Sequence, residues 1–294
     1  MLSLLIPTIA IGFLWAIMAL GVYITYRVLD VADLTVEGSF PLGAAVAASM
    51  LVAGFGPVSS LFVAFIAGAL SGIVTGVLHT KMKIPALLAG ILTMIALYSV
   101  NLRVMGKANI PLLGVDTTFT IIRDLTKLNS GECTLIIGVV STLIIGVIMY
   151  WFFGTEIGAA VRATGFNQQM IRAQGVNTDN TIILGLLLSN GLVAISGALV
   201  AQSNGFADVG MGVGTIVIGL ASVIIGEVLF GTRSFKNCLV SVVLGSIVYR
   251  IVIALVLAMG MPPNDLKLFT AVLVAIALAM PLIKSKMQGR KVAH

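Results

Sequence analysis

Nine apolar runs, most of them long enough to cross a bilayer as a helix, divide this sequence of 294 residues. A helix rises about 1.5 Å per residue, so about 20 residues cover a hydrocarbon core of about 30 Å. Lipid offers no hydrogen bonds to backbone groups, so such spans must be helical or closed barrels. The sequence predicts an all-α polytopic membrane protein with about nine transmembrane helices, within a range of eight to ten. The runs cover about 3–26, 40–55, 58–79, 85–104, 134–153, 181–202, 212–229, 238–258 and 266–283.

The second and seventh runs differ from the others at their beginnings. The second is short and begins at Pro41, and the seventh opens on Gly210, Gly212 and Gly214. We therefore predict a discontinuous second helix, and the seventh run is compatible with the same feature. The two runs lie five spans apart, and an odd separation would give two units of opposite topology, as in inverted-repeat transporters.

Composition excludes an ordinary soluble domain and offers little for catalysis. The chain is 59% hydrophobic and 10% charged, with a mean hydropathy of +1.13. Cys133 and Cys238 are too few for a disulfide framework, and His79 and His294 lie near no cluster with metal-ligand spacing. Gly106 and Lys107 lack the rest of a nucleotide-binding loop. We expect a protein that is no enzyme, binds no cofactor directly and holds no metal.

The net charge is +6. In a membrane protein such a charge indicates on which side of the membrane the basic residues lie, so we predict no nucleic-acid partner. With the N-terminus outside, eleven Lys and Arg residues fall in the inner loops and tail, against five in the outer loops. This distribution follows the positive-inside rule, so we predict an external N-terminus and a cytoplasmic C-terminus. No long polar linker divides the chain, which indicates one domain over residues 1–294. The first run lacks a basic leading region and is interpreted as a retained span.

Polar side chains near the spans are the candidates for a translocation pathway, because each must find a partner or water. One group lies between the first two spans, where an ordinary solvated loop and a segment entering the bundle are both possible. Scarcity of Lys and Arg between Arg27 and Lys81 favours the entering segment. This group comprises Asp33, Thr35 and Glu37.

Three further candidates lie within later spans. Ser189 and Asn190 fall in the middle of the sixth, where either helix packing or pathway lining would suit them. Arg250 lies deep in the eighth, where an isolated cation costs about 2.5 to 3.5 kcal/mol. Its depth does not match Glu227, so we expect it to extend outward or to pair with an acid such as Asp208. A structural role and contact with solute both remain open for Arg250.

A polar, helix-compatible segment at residues 156–178 carries the most specific pattern on the predicted cytoplasmic side. Its two motifs, Arg162-Ala-Thr-Gly-Phe-Asn167 and Arg172-Ala-Gln-Gly-Val-Asn177, resemble the coupling segment of bacterial ABC importer permeases of the branched-chain amino acid and ribose type. Residues 33–40, 196–199 and 221–231 are similar to other landmarks of that family, although Glu227 stands where a Gly is typical. The resemblance implies ATPase-coupling roles for Arg162, Ala163, Gly165, Asn167, Arg172, Gly175 and Asn177.

The same resemblance implies a function and its partners. The chain would be the transmembrane permease subunit of an importer in the bacterial cytoplasmic membrane. It would work with a cytoplasmic ABC ATPase that uses ATP, an external solute-binding protein and a second permease copy, surrounded by membrane lipid. The sub-branch is similar to permeases of aromatic amino acid systems, which implies an amino acid as solute. Sugar or nucleoside import and an ion-coupled secondary carrier remain the alternatives.

Overall fold

A computed structural model describes residues 2–260, 262, 265, 268–276 and 279 of the chain. Its long helices form one bundle, with the short helices and a pair of strands at its two ends. A π-helical turn, Ile24–Val28, extends α1, and a 3-10 turn, Val209–Gly212, precedes α10. The elements are α1 Leu2–Tyr23, α2 Val36–Val52, α3 Pro57–Thr80, α4 Ala86–Met105, β1 Asn109–Pro111, α5 Thr118–Thr126, α6 Ser130–Gly154, α7 Glu156–Phe166, α8 Gln168–Ala173, α9 Thr178–Asn204, β2 Phe206–Asp208, α10 Thr215–Phe230 and α11 Phe235–Ala258.

The predicted class, an all-α protein with many spans, is confirmed. Within the described residues, seven helical stretches are long and apolar enough to cross a membrane, and α2 is a shorter apolar helix. The antiparallel pair β1–β2, three residues in each strand, is an addition that the sequence did not predict. The predicted ninth span, 266–283, lies partly outside the described residues.

The beginning of the second span differs from the prediction. The prediction of a discontinuous second helix is wrong for α2 itself, which is one continuous helix from Val36 to Val52 with Pro41 inside it. The irregular segment is 29–35, and it is largely buried. Pro41 has no N–H to offer to the carbonyl of Glu37, four residues earlier. Gly212 packs on that carbonyl so closely that an added Cβ would lie 2.0 Å from the oxygen.

Two halves of the bundle repeat the same packing. Helices α2 and α3 pack on each other and on α9, and helices α10 and α11 pack on each other and on α1. The irregular segment before α2 is largely buried, whereas the stretch before α10 contains the 3-10 turn and exposes Gly210 and Val213. The two helix beginnings meet where the backbone N–H of Gly214 donates to Glu37 Oε1 at 3.0 Å. The inverted repeat suggested by the five-span separation stays a prediction.

The bundle has two distinct ends. At the α7 end, Lys81 after α3 forms a 3.2 Å ion pair with Asp179 at the beginning of α9, close to α7 and α8. At the β end, β1 after α4 pairs with β2 after α9, and α5 packs nearby on α6 and α9. Helix α9 runs between the ends and is the most buried of the seven spans, which places it at the centre.

Candidate coupling segment and buried polar network

Two asparagines shape the segment at the α7 end by capping helices. The side chain of Asn167 accepts a 3.0 Å hydrogen bond from the N–H of Met170 and begins α8. The side chain of Asn177 accepts one of 3.0 Å from the N–H of Asp179 and begins α9. Asn is among the preferred residues at this position, because its oxygen satisfies an N–H that has no partner inside the helix. Both corners of the segment are therefore determined by motif residues.

The two motif glycines serve different physical needs. At Gly165 in α7, an added Cβ would lie 1.8 Å from the carbonyl oxygen of Val28 and 2.8 Å from Cα of Leu29. Gly175 has open space around it but a φ of +86°, which L side chains adopt at a cost. Gly165 therefore brings α7 directly against the end of the π-helical turn, and Gly175 forms the bend before α9.

One face of the segment rests on the bundle and the other is open. Val161 and Ile171 are buried, and the hydroxyl groups of Thr164 and Thr181 lie 2.8 Å apart. Phe166, at the junction of α7 and α8, is 91% exposed and Met170 is 46% exposed. A large aromatic side chain left almost wholly in solvent is typical of a surface that another protein covers.

Both arginines of the segment already have contacts within the chain. The guanidinium of Arg162 lies 5.3 Å from the centre of the Phe235 ring. Arg172 donates to Thr178 Oγ1 and forms a 3.6 Å ion pair with Asp179. Their charges nevertheless remain at the surface, since both residues are exposed. The seven predicted coupling residues thus all lie at the α7 end, with Ala163 partly buried beside Arg162.

Asp33, Thr35 and Asn190 are brought together in a buried polar network. The amide of Asn190 donates to Asp33 Oδ2 at 2.8 Å, and Ser39 donates to Asn190 Oδ1 at 2.8 Å. The N–H of Thr35 donates to Asp33 Oδ1 at 2.9 Å. The three predicted residues and Ser39 are each at most 3% exposed. The network ties segment 29–35 and the first turn of α2 to the middle of α9.

The hydroxyl of Thr35 continues this network toward two other helices. It lies 2.7 Å from the hydroxyl of Thr75 on α3, which donates to Thr93 on α4 at 2.9 Å. Four elements, namely segment 29–35, α3, α4 and α9, therefore meet through side-chain hydrogen bonds. Buried networks with satisfied members hold one arrangement of a core.

The remaining candidate residues lie apart from the network. Ser189 donates to the carbonyl of Gly21 at 2.7 Å and so joins α9 to α1. Glu37 contacts the beginning of α10. The guanidinium of Arg250 lies 4.0 Å from the centre of the Trp15 ring. Asp208 instead accepts from Asn109 and from the N–H of Gly210, and no ion pair of Arg250 is found within the described part of the chain.

One ion pair at the α7 end was missed in the sequence. Arg27, in the π-helical turn, binds the carboxylate of Glu227 on α10 through Nε at 2.8 Å and through a second guanidinium nitrogen. Glu227 is 9% exposed and Arg27 is 51% exposed at their side chains. The sequence did mark Glu227 as unusual, because a Gly is typical at this position. It gave no indication of the partner, since Arg27 lies 200 positions earlier in the chain.

Comparison with known proteins places this geometry in a family. The family described as "Branched-chain amino acid transport system / permease component" matches residues 4–279. A tyrosine transport system permease protein of Clostridioides difficile is 41% identical over 279 residues, covering 95% of this chain and 91% of that protein. The galactofuranose transporter permease protein YtfT of Escherichia coli is 30% identical over 186 residues, 63% of this chain and 52% of that protein.

A solved structure shares the fold at low sequence identity. The structure titled "PsaBC from Streptococcus pneumoniae in complex with Fab" matches with a TM-score of 0.53 and 13% identity, covering 93% of this chain and 89% of that one. The family consists of permease components of transport systems, which disfavours the alternative of an ion-coupled carrier. Membership in the family implies an ATPase and a binding protein as partners. The chain is a membrane-spanning permease subunit of an ABC importer and belongs to the branched-chain amino acid permease component family.

Proposed function

We propose that the α7 end faces the cytoplasm and that the coupling segment, residues 156–178, is the surface on which the ATPase acts. The basic residues Arg27, Lys81, Lys83, Arg162 and Arg172 belong to this end, as the positive-inside rule requires of a cytoplasmic face. The exposed Phe166 supplies an apolar anchor between polar residues, which is the composition of an interface core with its rim. The contact of Gly165 with Val28 is the observation that carries the proposal, because it joins this surface directly to the bundle.

Force on α7 reaches the centre of the bundle along a short path. Helix α7 presses on Val28 and Leu29, and Leu29 in turn packs on Gly185 of α9, where an added Cβ would lie 2.4 Å away. The chain then continues through segment 29–35 to Asp33 and its hydrogen bond with Asn190. ATP used by the partner ATPase would therefore shift segment 29–35 against α9, a movement of one packed unit against another.

The predicted pathway residues divide by their contacts into two groups. Asp33, Thr35, Ser189 and Asn190 hold the irregular segment and the central helices in place in this conformation. Glu37 joins the two helix beginnings and is only partly buried, so it is the member best placed to meet solute when the halves separate. Arg250 has an aromatic partner and acts mainly in packing.

We infer that the solute is an amino acid, with an aromatic one favoured. This inference is supported by a relative that covers nearly the whole chain and is named for tyrosine transport. The relative named for a sugar derivative matches a smaller part and at lower identity. The external binding protein would dock at the β end, and two permease copies would complete the transporter, by analogy with the family.

The docking proposal is tested by recovering the ATPase with the purified permease. Phe166→Asp places a charge in the interface core, so we expect co-purified ATPase to fall about tenfold or more. Phe55→Asp is the matched control, because Phe55 is also exposed but lies between α2 and α3 at the other end. Equal recovery for the two variants would overturn the assignment of the α7 end to the ATPase.

The substrate inference has a separate test. The permease, its ATPase and the binding protein encoded nearby are reconstituted in liposomes, and ATP hydrolysis is measured with tyrosine, leucine or ribose added. Stimulation by tyrosine above leucine supports the inference, and stimulation by ribose alone contradicts it. The outcome does not depend on the orientation of α7.

A further inference from the structure

Two cavities on one side of the bundle join into a single amphipathic groove. The first, of about 570 Å³, is apolar and lies among α1, α6 and α11, with Phe13, Leu143, Val147 and Val243 in its lining. The second, of about 610 Å³, lies at the α7 end and includes Trp151 and Arg162. Tyr150 and Lys236 line both cavities, so they mark the boundary between the apolar and the polar part.

We propose that this groove binds an anionic phospholipid of the cytoplasmic leaflet. The apolar part runs along membrane-spanning helices and offers space for acyl chains beside Leu143 and Val147, both more than half exposed. The polar part carries the cations of Arg162 and Lys236 at the end of the bundle where lipid headgroups lie. Assigning the lipid to the cytoplasmic leaflet depends on the proposed orientation of the α7 end. The proposal that the groove binds a lipid does not depend on it.

The charges around the polar part favour an anionic headgroup over a zwitterionic one. Among the described residues, neither Arg162 nor Lys236 forms an ion pair, and the cavity lining contains no carboxylate. Glu156 is exposed at the beginning of α7 but does not line the cavity. Helix α11 begins at Phe235, after the capping residue Ser234, so the positive end of its dipole adds positive potential at the same place.

Aromatic side chains support a position at the membrane interface. Tyr150 and Trp151 are adjacent at the end of α6, and both are more than half exposed. Such residues are enriched where lipid headgroups meet the hydrocarbon core. Three features expected of a lipid site therefore occur together here. They are an apolar groove, two adjacent aromatic side chains and two cationic side chains.

The position of the polar cavity beside α7 would connect lipid binding to the coupling of ATP hydrolysis with transport. Arg162 belongs to α7 and lies against Phe235 of α11, so a headgroup bound beside it would contact both helices. A lipid in this groove would stiffen the contact between α7 and α11. Transport coupling would then depend on the lipid composition of the bilayer.

Native mass spectrometry of the complete permease tests the proposal with phosphatidylglycerol and phosphatidylcholine offered in equal amounts. We expect retained phosphatidylglycerol to exceed phosphatidylcholine, and Lys236→Gln to lower that excess about fivefold. Arg233→Gln is the control, because Arg233 is exposed nearby but lines neither cavity. Equal retention of the two lipids, or equal loss with both variants, would overturn the proposal.

A second measurement locates the lipid without relying on a charge change. Trp151 lines the groove, and the chain contains only one other tryptophan, Trp15. Brominated phosphatidylglycerol should quench fluorescence in nanodiscs at a lower mole fraction than brominated phosphatidylcholine, and Lys236→Gln should remove the difference. Identical quenching curves contradict the site. Efficient cross-linking of Val147→Cys between two permease copies would also overturn it, by showing that protein covers the groove.

Discussion

The side-chain amide of Asn190, in the middle of α9, donates a 2.8 Å hydrogen bond to Asp33, in the irregular segment between α1 and α2. The two residues are 157 positions apart, and both are at most 3% exposed. This bond connects the central helix to the segment on which we propose that α7 pushes. The stability of the bundle and the transmission of that push should therefore depend on it.

Replacing Asn190 with Leu should destabilise the bundle. The change removes the donor to Asp33 and the acceptor for Ser39, and leaving buried polar groups without partners costs about 1 to 3 kcal/mol each. Thermal unfolding in detergent measures the effect. Asn180→Leu is the control, because Asn180 lies on the same helix but is exposed. Equal melting temperatures for the two variants would contradict a structural network.

The ion pair of Arg27 with Glu227 should contribute to stability, and exchanging its two charges tests this. Either Arg27→Gln or Glu227→Gln removes one partner of the pair, and the coupling energy should be about 1 kcal/mol, because Arg27 is half exposed and therefore screened. A double-mutant cycle on thermal stability measures it. The exchanged variant, Arg27→Glu with Glu227→Arg, should recover part of the lost thermal stability. Purely additive effects would show that the pair contributes nothing.

Gly165→Leu should uncouple ATP hydrolysis from uptake through the internal packing of α7. The side chain would collide with the backbone of Val28, so α7 must move away from the bundle. Solute-stimulated ATP hydrolysis in liposomes is the measurement. Gly56→Leu is the control, since a Cβ there meets only Ser59 Oγ at 3.7 Å, an ordinary contact, and no positive φ is required. If both variants couple normally, the contact of α7 with Val28 does not transmit force.

Substitutions of Arg250 can distinguish a packing role from a role in binding the solute. Arg250→Met keeps the length of the side chain and removes a partly buried cation, so stability should change by less than about 1.5 kcal/mol if the role is packing against Trp15. Uptake should then persist. A variant of normal thermal stability that no longer transports would assign Arg250 to the solute instead. Trp15→Leu tests the ring itself and should cost about 1 to 2 kcal/mol.

Parts of the candidate site were predictable because their chemistry is local. Asn167 and Asn177 each precede a helix that they cap, and residues close in sequence make those bonds. The exposed segment 156–178 could be located from its polarity between two apolar runs. The beginning of α2 was predicted at Pro41 because proline usually marks an interruption, but a proline near the start of a helix loses only one bond.

The partners of the buried groups could not be predicted in this way. Glu227 and Arg250 were both recognised as unusual, yet Glu227 binds Arg27 and Arg250 lies over Trp15. Gly165 was interpreted as part of a docking surface, and its closest neighbour is the chain's own Val28. Each of these contacts joins residues more than 100 positions apart, so periodicity and spacing carry no signal for it.

The sequence alone determined that the chain spans a membrane many times as helices. The physical reason is that hydrocarbon satisfies no backbone hydrogen bond, so a long apolar run has few structures open to it. Only the tertiary structure decided how those helices are connected inside, through Asp33 with Asn190, Glu37 with Gly214, and Arg27 with Glu227. A polar group in a nonpolar interior binds whichever partner packing brings within reach, and packing is a property of the whole bundle.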